Sequence, residues 1–131
     1  MEKLGWHSLG TAFDCPCGVR HELPIEGCCI GETAAEELAN FSRNRCGKRA
    51  LVISDENTRH AGGDKLLSKL SAAHKEVREK VFPSAALEAT LELAEEVAAL
   101  GRDADFYVVI GSGTLSDLAK YSGGEQHKPV L

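Results

Sequence analysis

Beyond residue 32, the hydrophobic positions of the chain follow two alternating patterns. Short apolar runs bounded by polar or turn residues occur at residues 50–53 and 106–110, with a weaker one at 77–82. Such runs are typical of buried parallel strands. Between them, apolar residues recur at the spacing of one helix face. The predicted helices cover residues 33–44, 64–74, 84–100 and 114–121. Residues 129–131 begin a further strand.

Capping and turn residues support this pattern. Thr33 with Glu36 has the spacing of a capping box, Ser84 is placed to cap the third helix, and Thr114 with Asp117 again has N-cap spacing. Polar, glycine-bearing segments predict the loops, which are residues 54–63, 111–113 and 123–128. Alternating helices and strands imply an α/β fold, with a mostly parallel sheet joined by right-handed crossovers and flanked by helices.

The first 31 residues differ from the rest of the chain. They are rich in Gly, Pro and Cys and lack helical periodicity, although residues 19–25 alternate loosely as a strand does. The sequence therefore predicts an irregular cysteine-rich arm over residues 1–31, with one hairpin or edge strand, and an α/β domain over residues 32–131.

Composition limits the classes of partner. The chain has 131 residues, a formal net charge of −5 and a pI of about 5.5, so its overall charge attracts neither nucleic acid nor an anionic membrane. It contains neither a signal peptide nor an apolar stretch long enough to span a bilayer, and its five cysteines argue against a disulfide framework. A cytoplasmic protein is expected.

A glycine-rich loop follows the strongest predicted strand. After Ile110 the chain reads Gly111-Ser112-Gly113-Thr114, and a helix follows. The first glycine allows a sharp turn, the second removes a side chain that would block a phosphate, and the N–H groups of the helix face the anion. The third glycine of the usual dinucleotide fingerprint is missing, and there is no P-loop lysine. The loop therefore indicates either a phosphate site or a plain turn.

Asp55 follows the strand at residues 50–53. An acidic residue at the end of a strand can accept two hydrogen bonds from a ribose diol. Aspartate in this place is also a common helix cap or Asx-turn residue. Because a glycine loop follows a neighbouring strand, Asp55 is interpreted equally as a ribose ligand and as a helix cap.

These motifs together resemble a known family. The run from Leu51 to Thr58, the strand end at Val81-Phe82-Pro83 and the run from Tyr107 to Lys120 are similar to the N-terminal domain of sn-glycerol-1-phosphate dehydrogenase-like proteins. These belong with the iron-containing alcohol dehydrogenases, glycerol dehydrogenases and 3-dehydroquinate synthases. The Cys15–Glu22 stretch resembles a short leader of some bacterial members. The resemblance covers roughly residues 13–131.

The resemblance implies a Rossmann-like NAD(P)-binding domain. Its implied pyrophosphate contacts are Gly111, Ser112, Gly113 and Thr114. Asp117 is expected in the same loop, and Asp55 at the adenosine ribose, where its charge favours NAD over NADP unless Arg59 compensates. Family members continue for roughly two hundred residues into a helical domain that holds the metal, Zn or Fe, and most of the substrate pocket. The chain is thus expected to be C-terminally truncated relative to the family, to bind cofactor and to lack catalytic and metal residues.

Two other functions compete with this one. Cys15, Cys17 and His21 are zinc-type ligands, but Cys-x-Cys is tighter than ordinary knuckle spacing, so a packed turn is the favoured interpretation and a zinc- or nucleotide-binding module the alternative. A dehydroquinate synthase-like fragment is the second alternative, although that branch carries three glycines in the loop. The other histidines, expected to be isolated and exposed, are His7, His60, His74 and His127. Self-association is expected through the open sheet edge at residues 129–131.

Overall fold

The computed structural model describes residues 9–22, 24–85 and 87–131, and it divides into two compact units. The first unit ends at Gly31 and the second spans Glu32–Leu131. Strands β1 (Ala12–Asp14) and β2 (Arg20–Glu22) of the first unit form an antiparallel hairpin in which Phe13 lies opposite His21. An exposed Arg20–Asp14 ion pair of 3.0 Å joins the two strands.

The second unit alternates helices and strands. Its elements are α1 (Ala34–Arg45), β3 (Arg49–Asp55), α2 (Glu56–Thr58), a π-helical segment (Arg59–Gly63), α3 (Asp64–Ala73), β4 (Glu76–Phe82), α4 (Leu91–Leu100), β5 (Phe106–Ile110) and α5 (Gly113–Glu125). The strands form a parallel sheet in the order β4-β3-β5. The predicted α/β fold is confirmed, and β5 has the predicted bounds.

The core lies on both faces of β3 because successive strand side chains point to opposite sides. Leu51 and Ile53 pack with residues of α4 and α5, including Val97 and Leu118. Ala50 and Val52 belong to a second cluster, which draws on α1 and α3 and includes Ala39, Leu67 and Leu70. The sheet is therefore covered on both faces, and its ligand-accessible positions lie at its edges and ends.

Residues 129–131 add to the sheet beside β5. Tyr107 N–H donates to the Pro129 carbonyl (2.9 Å), Leu131 N–H to the Tyr107 carbonyl (3.0 Å), and Val109 N–H to the Leu131 carbonyl (2.8 Å). The predicted further strand is thus present as a short parallel segment. Self-association through this edge stays a prediction, which sedimentation over a wide concentration range can test.

One aspartate closes the amino-terminal end of the sheet. Asp105 Oδ2 accepts hydrogen bonds from the backbone N–H groups of Lys48 (2.8 Å) and Arg49 (2.9 Å), and its Oδ1 pairs with the Arg49 guanidinium at 2.9 Å. These hydrogen bonds and the Arg49 charge lower the pKa of Asp105 to about 2. Gly47, at φ +109°, permits this approach, since a Cβ there would lie 2.7 Å from Asp105 Cβ.

His74 is a second tie at this end, and the expectation that it is isolated and exposed was wrong. Its Nε2 lies 2.8 Å from the buried hydroxyl of Ser42, and its Nδ1 lies 3.0 Å from the Gly47 carbonyl. His74 thereby joins the end of α1 to the start of β4. His60 and His127 are exposed, and His7 lies outside the described residues.

Residues that follow α5 form hydrogen bonds with β5 and with the end of α4. Tyr107 Oη donates to Gln126 Oε1 (3.1 Å), and Lys128 Nζ donates to the carbonyls of Gly101 (2.7 Å) and Arg102 (2.8 Å), which are terminal carbonyls of the kind that cations cap. Burial raises the pKa of Tyr107 and lowers that of Lys128. Gly101 leaves the room for the tyrosine, because a Cβ there would meet Tyr107 Oη at 2.0 Å.

The predicted loop over residues 54–63 was wrong. Helix starts directly after β3 and continues through the π-helical segment into α3. Asp55 caps it, whereas Gly62 and Gly63 had indicated a loop. Gly63 leaves room for the Arg59 side chain, since Arg59 Cδ would lie 2.7 Å from a Cβ built on Gly63.

Three predicted caps are also corrected. Thr33 is the N-cap of α1 as predicted, but its hydroxyl donates to the Glu37 carboxylate and makes no cap hydrogen bond, so the predicted capping box with Glu36 is wrong. Helix α4 begins after Thr90, whose hydroxyl accepts the Leu93 N–H (3.2 Å), so Ser84 and Leu87 precede it. The remaining corrections lie in α5: its N-cap is Ser112 in place of Thr114, and the helix runs on to Glu125 in place of ending near residue 121.

Candidate functional site

The carboxyl ends of the three strands meet at one end of the sheet. Glu56, just after β3, accepts hydrogen bonds from the backbone N–H (3.3 Å) and the hydroxyl (3.2 Å) of Ser84, just after β4. Thr58 contacts the glycine loop after β5, since a Cβ built on Gly111 would lie 2.8 Å from Thr58 Cγ2. The chain segments that follow all three strands are therefore in direct contact at this end.

The two glycines of the loop have different reasons to be glycine. Gly111 has a φ of +146°, and a Cβ there would also meet Leu115 Cδ1 at 2.8 Å, so both backbone and packing exclude a side chain. Gly113 has ordinary backbone angles, and a Cβ there would meet no atom within 4 Å. The space in front of Gly113 is thus open to a ligand.

The start of α5 offers unbonded donors beside that space. Ser112 is the N-cap, and its hydroxyl makes no cap hydrogen bond. The Ser116 N–H donates to the Ser112 carbonyl (3.1 Å), so the N–H groups of Gly113, Thr114 and Leu115 precede the first intrahelical bond. Such N–H groups, together with the positive end of the helix dipole, form an anion site.

Asp55 serves as a helix cap. The Thr58 N–H donates to Asp55 Oδ1 (2.8 Å), and the Asp55 N–H donates to Thr58 Oγ1 (3.1 Å), which together make a capping box. Asp55 is buried, with 8% of its surface exposed. The cap interpretation of this residue is therefore correct, and a ribose would have to use its second carboxylate oxygen.

Arg59 is occupied by two carboxylates. Its Nε donates to Glu79 (2.6 Å), and its Nη1 makes a short contact with Asp64. The Asp64 hydrogen bond and then that of Glu79 raise the pKa of Arg59, and Arg59 in turn lowers the pKa of Asp64. Arg59 had been expected to neutralise a 2′-phosphate, but in the structure its charge is already paired with Glu79 and Asp64.

Asp117 had been expected in the glycine loop, but it lies on α5. It lines a groove of about 400 Å³ between α4 and α5, together with Ala89, Thr90, Leu91, Ala94, Leu118 and Tyr121. Asp117 is one turn beyond Gly113, so the groove begins one helical turn along α5 from the glycine loop.

The structure adds contacts that the sequence interpretation missed. Glu56, Thr58 and Ser84 join the strand ends, although Ser84 was predicted only as a helix cap and the other two had no assigned role. The Asp-x-x-Thr spacing of the capping box is a readable signal for Thr58. The Glu56–Ser84 contact joins residues far apart in sequence and has no such local signal.

Cys15, Cys17 and His21 also converge, in the first unit. Their ligand atoms all lie within 4.8 Å of one another. A hydrogen bond with Cys15 and one from the Val19 backbone lower the pKa of the exposed Cys17 thiol.

Comparison with known proteins identifies the family. The sequence model described as iron-containing alcohol dehydrogenase matches residues 29–131. This chain belongs to that family. The match covers the whole α/β unit, Glu32–Leu131, and begins three residues before it.

Curated relatives agree with this assignment. The chain is 31% identical to an NAD(P)+-linked glycerol-1-phosphate dehydrogenase of Bacillus licheniformis over 100% of its own length, and 26% identical to that of Bacillus velezensis over 98%. It spans 34% of the length of each of these relatives. The dehydroquinate synthase alternative is not favoured by these relatives.

Solved structures support the fold. Glycerol dehydrogenase from Schizosaccharomyces pombe matches with a TM-score of 0.67 and 24% identity, over 76% of this chain and 25% of that one. Maleylacetate reductase from Agrobacterium tumefaciens matches at 0.59 and 22%, over 77% and 28%. Among the described residues, no helix is both long enough and apolar enough to cross a bilayer.

Proposed function

We propose that the Glu32–Leu131 unit binds NAD or NADP with the dinucleotide pyrophosphate resting on the start of α5. The observation that carries the proposal is the open space at Gly113, beside N–H groups that precede the first intrahelical bond. A diphosphate needs such donors because the chain is acidic overall and offers no surplus of cations.

Each predicted loop residue has a place in this binding mode. Gly111 turns the chain away from β5, Ser112 and Gly113 bring the backbone to the pyrophosphate, and Thr114 supplies an N–H and a hydroxyl. Asp117, one turn further on, borders the groove beside α4, where a more distant part of the cofactor could lie. These roles rest on backbone position and open space, and they follow the family resemblance.

Asp55 is proposed to bind the adenosine ribose through the carboxylate oxygen that is not in the cap. Its negative charge and the pairing of Arg59 with Glu79 and Asp64 both disfavour a 2′-phosphate. We therefore propose that NAD binds more tightly than NADP.

The activity proposed for the whole protein is oxidation or reduction of a polyol phosphate, as in the glycerol-1-phosphate dehydrogenases it is similar to. The family metal, Zn or Fe, does not fit this unit, because no three His, Cys, Asp or Glu side chains converge among its described residues. No catalytic step is assigned to these residues, and their proposed contribution is to bind and orient the dinucleotide.

Titration with NADH, followed by its fluorescence, tests the glycine loop. The Gly113→Val variant should bind at least about tenfold more weakly, since the branched side chain would occupy the phosphate space. Gly124→Val is the matched control, because Gly124 lies in the same helix and a Cβ there also meets no atom within 4 Å. Equal affinity of a folded Gly113→Val variant and the control would remove the loop from the site.

Cofactor choice tests the role of Asp55. Asparagine can still cap a helix, so Asp55→Asn removes the charge while an oxygen remains for the Thr58 N–H. The ratio of NADPH to NADH affinity should rise about tenfold. Asp103→Asn, an exposed aspartate at the opposite end of the sheet, should leave the ratio unchanged. An unchanged ratio in Asp55→Asn would contradict the ribose assignment.

A further inference from the structure

The hairpin of the first unit gathers three soft metal ligands at its turn. Cys15 Sγ, Cys17 Sγ and a ring nitrogen of His21 lie within 4.8 Å of one another. The distance between Cys17 Sγ and His21 Nε2 is 3.2 Å. The cluster is exposed or half-buried, so an ion in solution can reach it.

The backbone of the hairpin sets this arrangement. The register places His21 opposite Phe13, and Cys15 comes two residues after Phe13, so Cys15 and His21 fall on the same side of the hairpin. The turn is closed by hydrogen bonds from Cys15 N–H to the Val19 carbonyl (3.1 Å) and from Gly18 N–H to the Cys15 carbonyl (2.9 Å). Gly18, at φ +85°, makes the tight turn possible.

The short Cys-x-Cys spacing, which argued against a zinc site in the sequence, does not keep the ligand atoms apart in this turn. Cys-x-Cys is short for a zinc knuckle, in which both ligands come from one loop. Here the third ligand comes from the opposite strand, because the chain reverses direction between Cys17 and His21.

The described part of the first unit has no buried core. None of its described residues, 9–22 and 24–31, is buried, and Val19, Ile25 and Ile30 expose large apolar side chains. An isolated two-stranded hairpin is marginal in water, and units this small are commonly held by disulfides or metals. Cys15 and Cys17 are not joined in a disulfide in the structure.

We propose that Cys15, Cys17 and His21 bind one zinc ion, with solvent as the fourth ligand. In a tetrahedral zinc site, sulfur atoms are about 3.8 Å apart and sulfur and nitrogen about 3.6 Å apart. The observed separations need only small adjustments to reach these values. Two thiolates and an imidazole select zinc over the hard ions Mg²⁺ and Ca²⁺. Binding releases the protons of both thiols and changes no oxidation state.

Cobalt substitution tests the site on the full chain without an affinity tag. After dialysis against chelator under reducing conditions, added Co²⁺ should give a sulfur-to-cobalt charge-transfer band that saturates at roughly one ion per chain. Zinc should displace it. Cys17→Ser and His21→Gln should each weaken cobalt binding at least about tenfold. The matched controls Cys46→Ala and His60→Gln, whose residues lie in the second unit, should leave it unchanged.

Hydrogen exchange gives a second readout. The amides of Cys15 and Gly18, which close the turn, should exchange at least about tenfold more slowly with zinc than with chelator, and Cys17→Ser should abolish the difference. No charge-transfer band, a band unaffected by Cys17→Ser, or exchange rates that do not respond to zinc would each overturn the proposal.

Discussion

The amino-terminal end of the parallel sheet and the glycine loop at its carboxyl end are built in opposite ways. At the amino-terminal end, side chains form hydrogen bonds with the backbone groups. Asp105 accepts from the N–H groups of Lys48 and Arg49. His74 lies within hydrogen-bond distance of the Gly47 carbonyl, and Lys128 donates to a carbonyl at the end of α4. At the carboxyl end, the first N–H groups of α5 have no cap from Ser112, and the space at Gly113 is open.

This difference separates stability from binding. Backbone groups that are already satisfied contribute to folding and cannot bind a ligand, whereas donors without a protein partner at a solvent-accessible end are free to do so. Substitutions at the amino-terminal end should therefore reduce the free energy of unfolding and leave dinucleotide affinity unchanged. Substitution of Gly113 should instead weaken dinucleotide binding and leave the free energy of unfolding nearly unchanged.

Gly101→Ala should have the largest effect. Its methyl group would lie 2.0 Å from Tyr107 Oη, which is held by Gln126. Overpacking at so fixed a site should lower the free energy of unfolding by about 3 kcal/mol. Urea denaturation measures it, with Gly124→Ala as the control of open surroundings. If Gly101→Ala loses no more free energy of unfolding than Gly124→Ala, the Tyr107 ring moves aside and the overpacking argument is wrong.

Asp105→Asn should cost about 2 kcal/mol, because a charge-assisted pair and the acceptor of two backbone N–H groups are weakened together. The same denaturation experiment measures the loss. Asp103→Asn, a neighbouring exposed aspartate, should change stability by less than about 0.5 kcal/mol.

The same residue predicts a pH dependence. The pKa of Asp105 is lowered from 3.8 to about 2, so its stabilisation is complete above pH 4 and is lost as the pH falls to about 2. The side chain is 30% exposed, so solvent screening reduces the effect to about 1–2 kcal/mol. The acid-induced loss should be smaller by this amount in Asp105→Asn; parallel pH profiles would contradict it.

His74→Ala should cost about 1–2 kcal/mol, because the buried Ser42 hydroxyl and the Gly47 carbonyl both lose a partner. Thermal unfolding compared with His60→Ala, an exposed histidine, measures the effect. NADH affinity should not change in either variant.

Gly113→Ala should have the smallest effect on stability, within about 0.5 kcal/mol, because the methyl group meets no atom and alanine suits a helix. NADH titration should nevertheless show weaker binding. A large loss of stability with intact affinity would invert the comparison between the two ends.

The sequence predicted the parts of the fold that depend on local composition. The run Phe106–Ile110 is aromatic or β-branched throughout, and its strand has the predicted bounds. Helix boundaries fared worse where glycine was taken as a breaker. Gly123 is inside α5, where its missing side chain accommodates Val130, with Cγ2 2.5 Å from a built Cβ. That contact depends on residues returning to the sheet, which no local pattern shows.

The candidate site shows the same limit. The glycine loop was predictable because turn geometry and phosphate access both demand specific residues. Asp55 was identified and its spacing to Thr58 is that of a capping box, but the helix that it caps was predicted as a loop. The pairing of Arg59 with Glu79 joins a helical residue to a strand that is distant in sequence, and no local pattern predicts it. The two cysteines and His21 were named as zinc-type ligands, but their convergence depends on the register of the hairpin.

The contact between Thr58 and Gly111 has a consequence for affinity. Because the Thr58 side chain packs against Gly111, the segments after β3 and β5 are already in contact before any ligand arrives. The entropy of arranging these two segments is thus spent in folding and not in association, so the receptor is preorganised. Thr58→Ser, which keeps the hydroxyl and removes the methyl group, would loosen that contact while every donor stays in the chain.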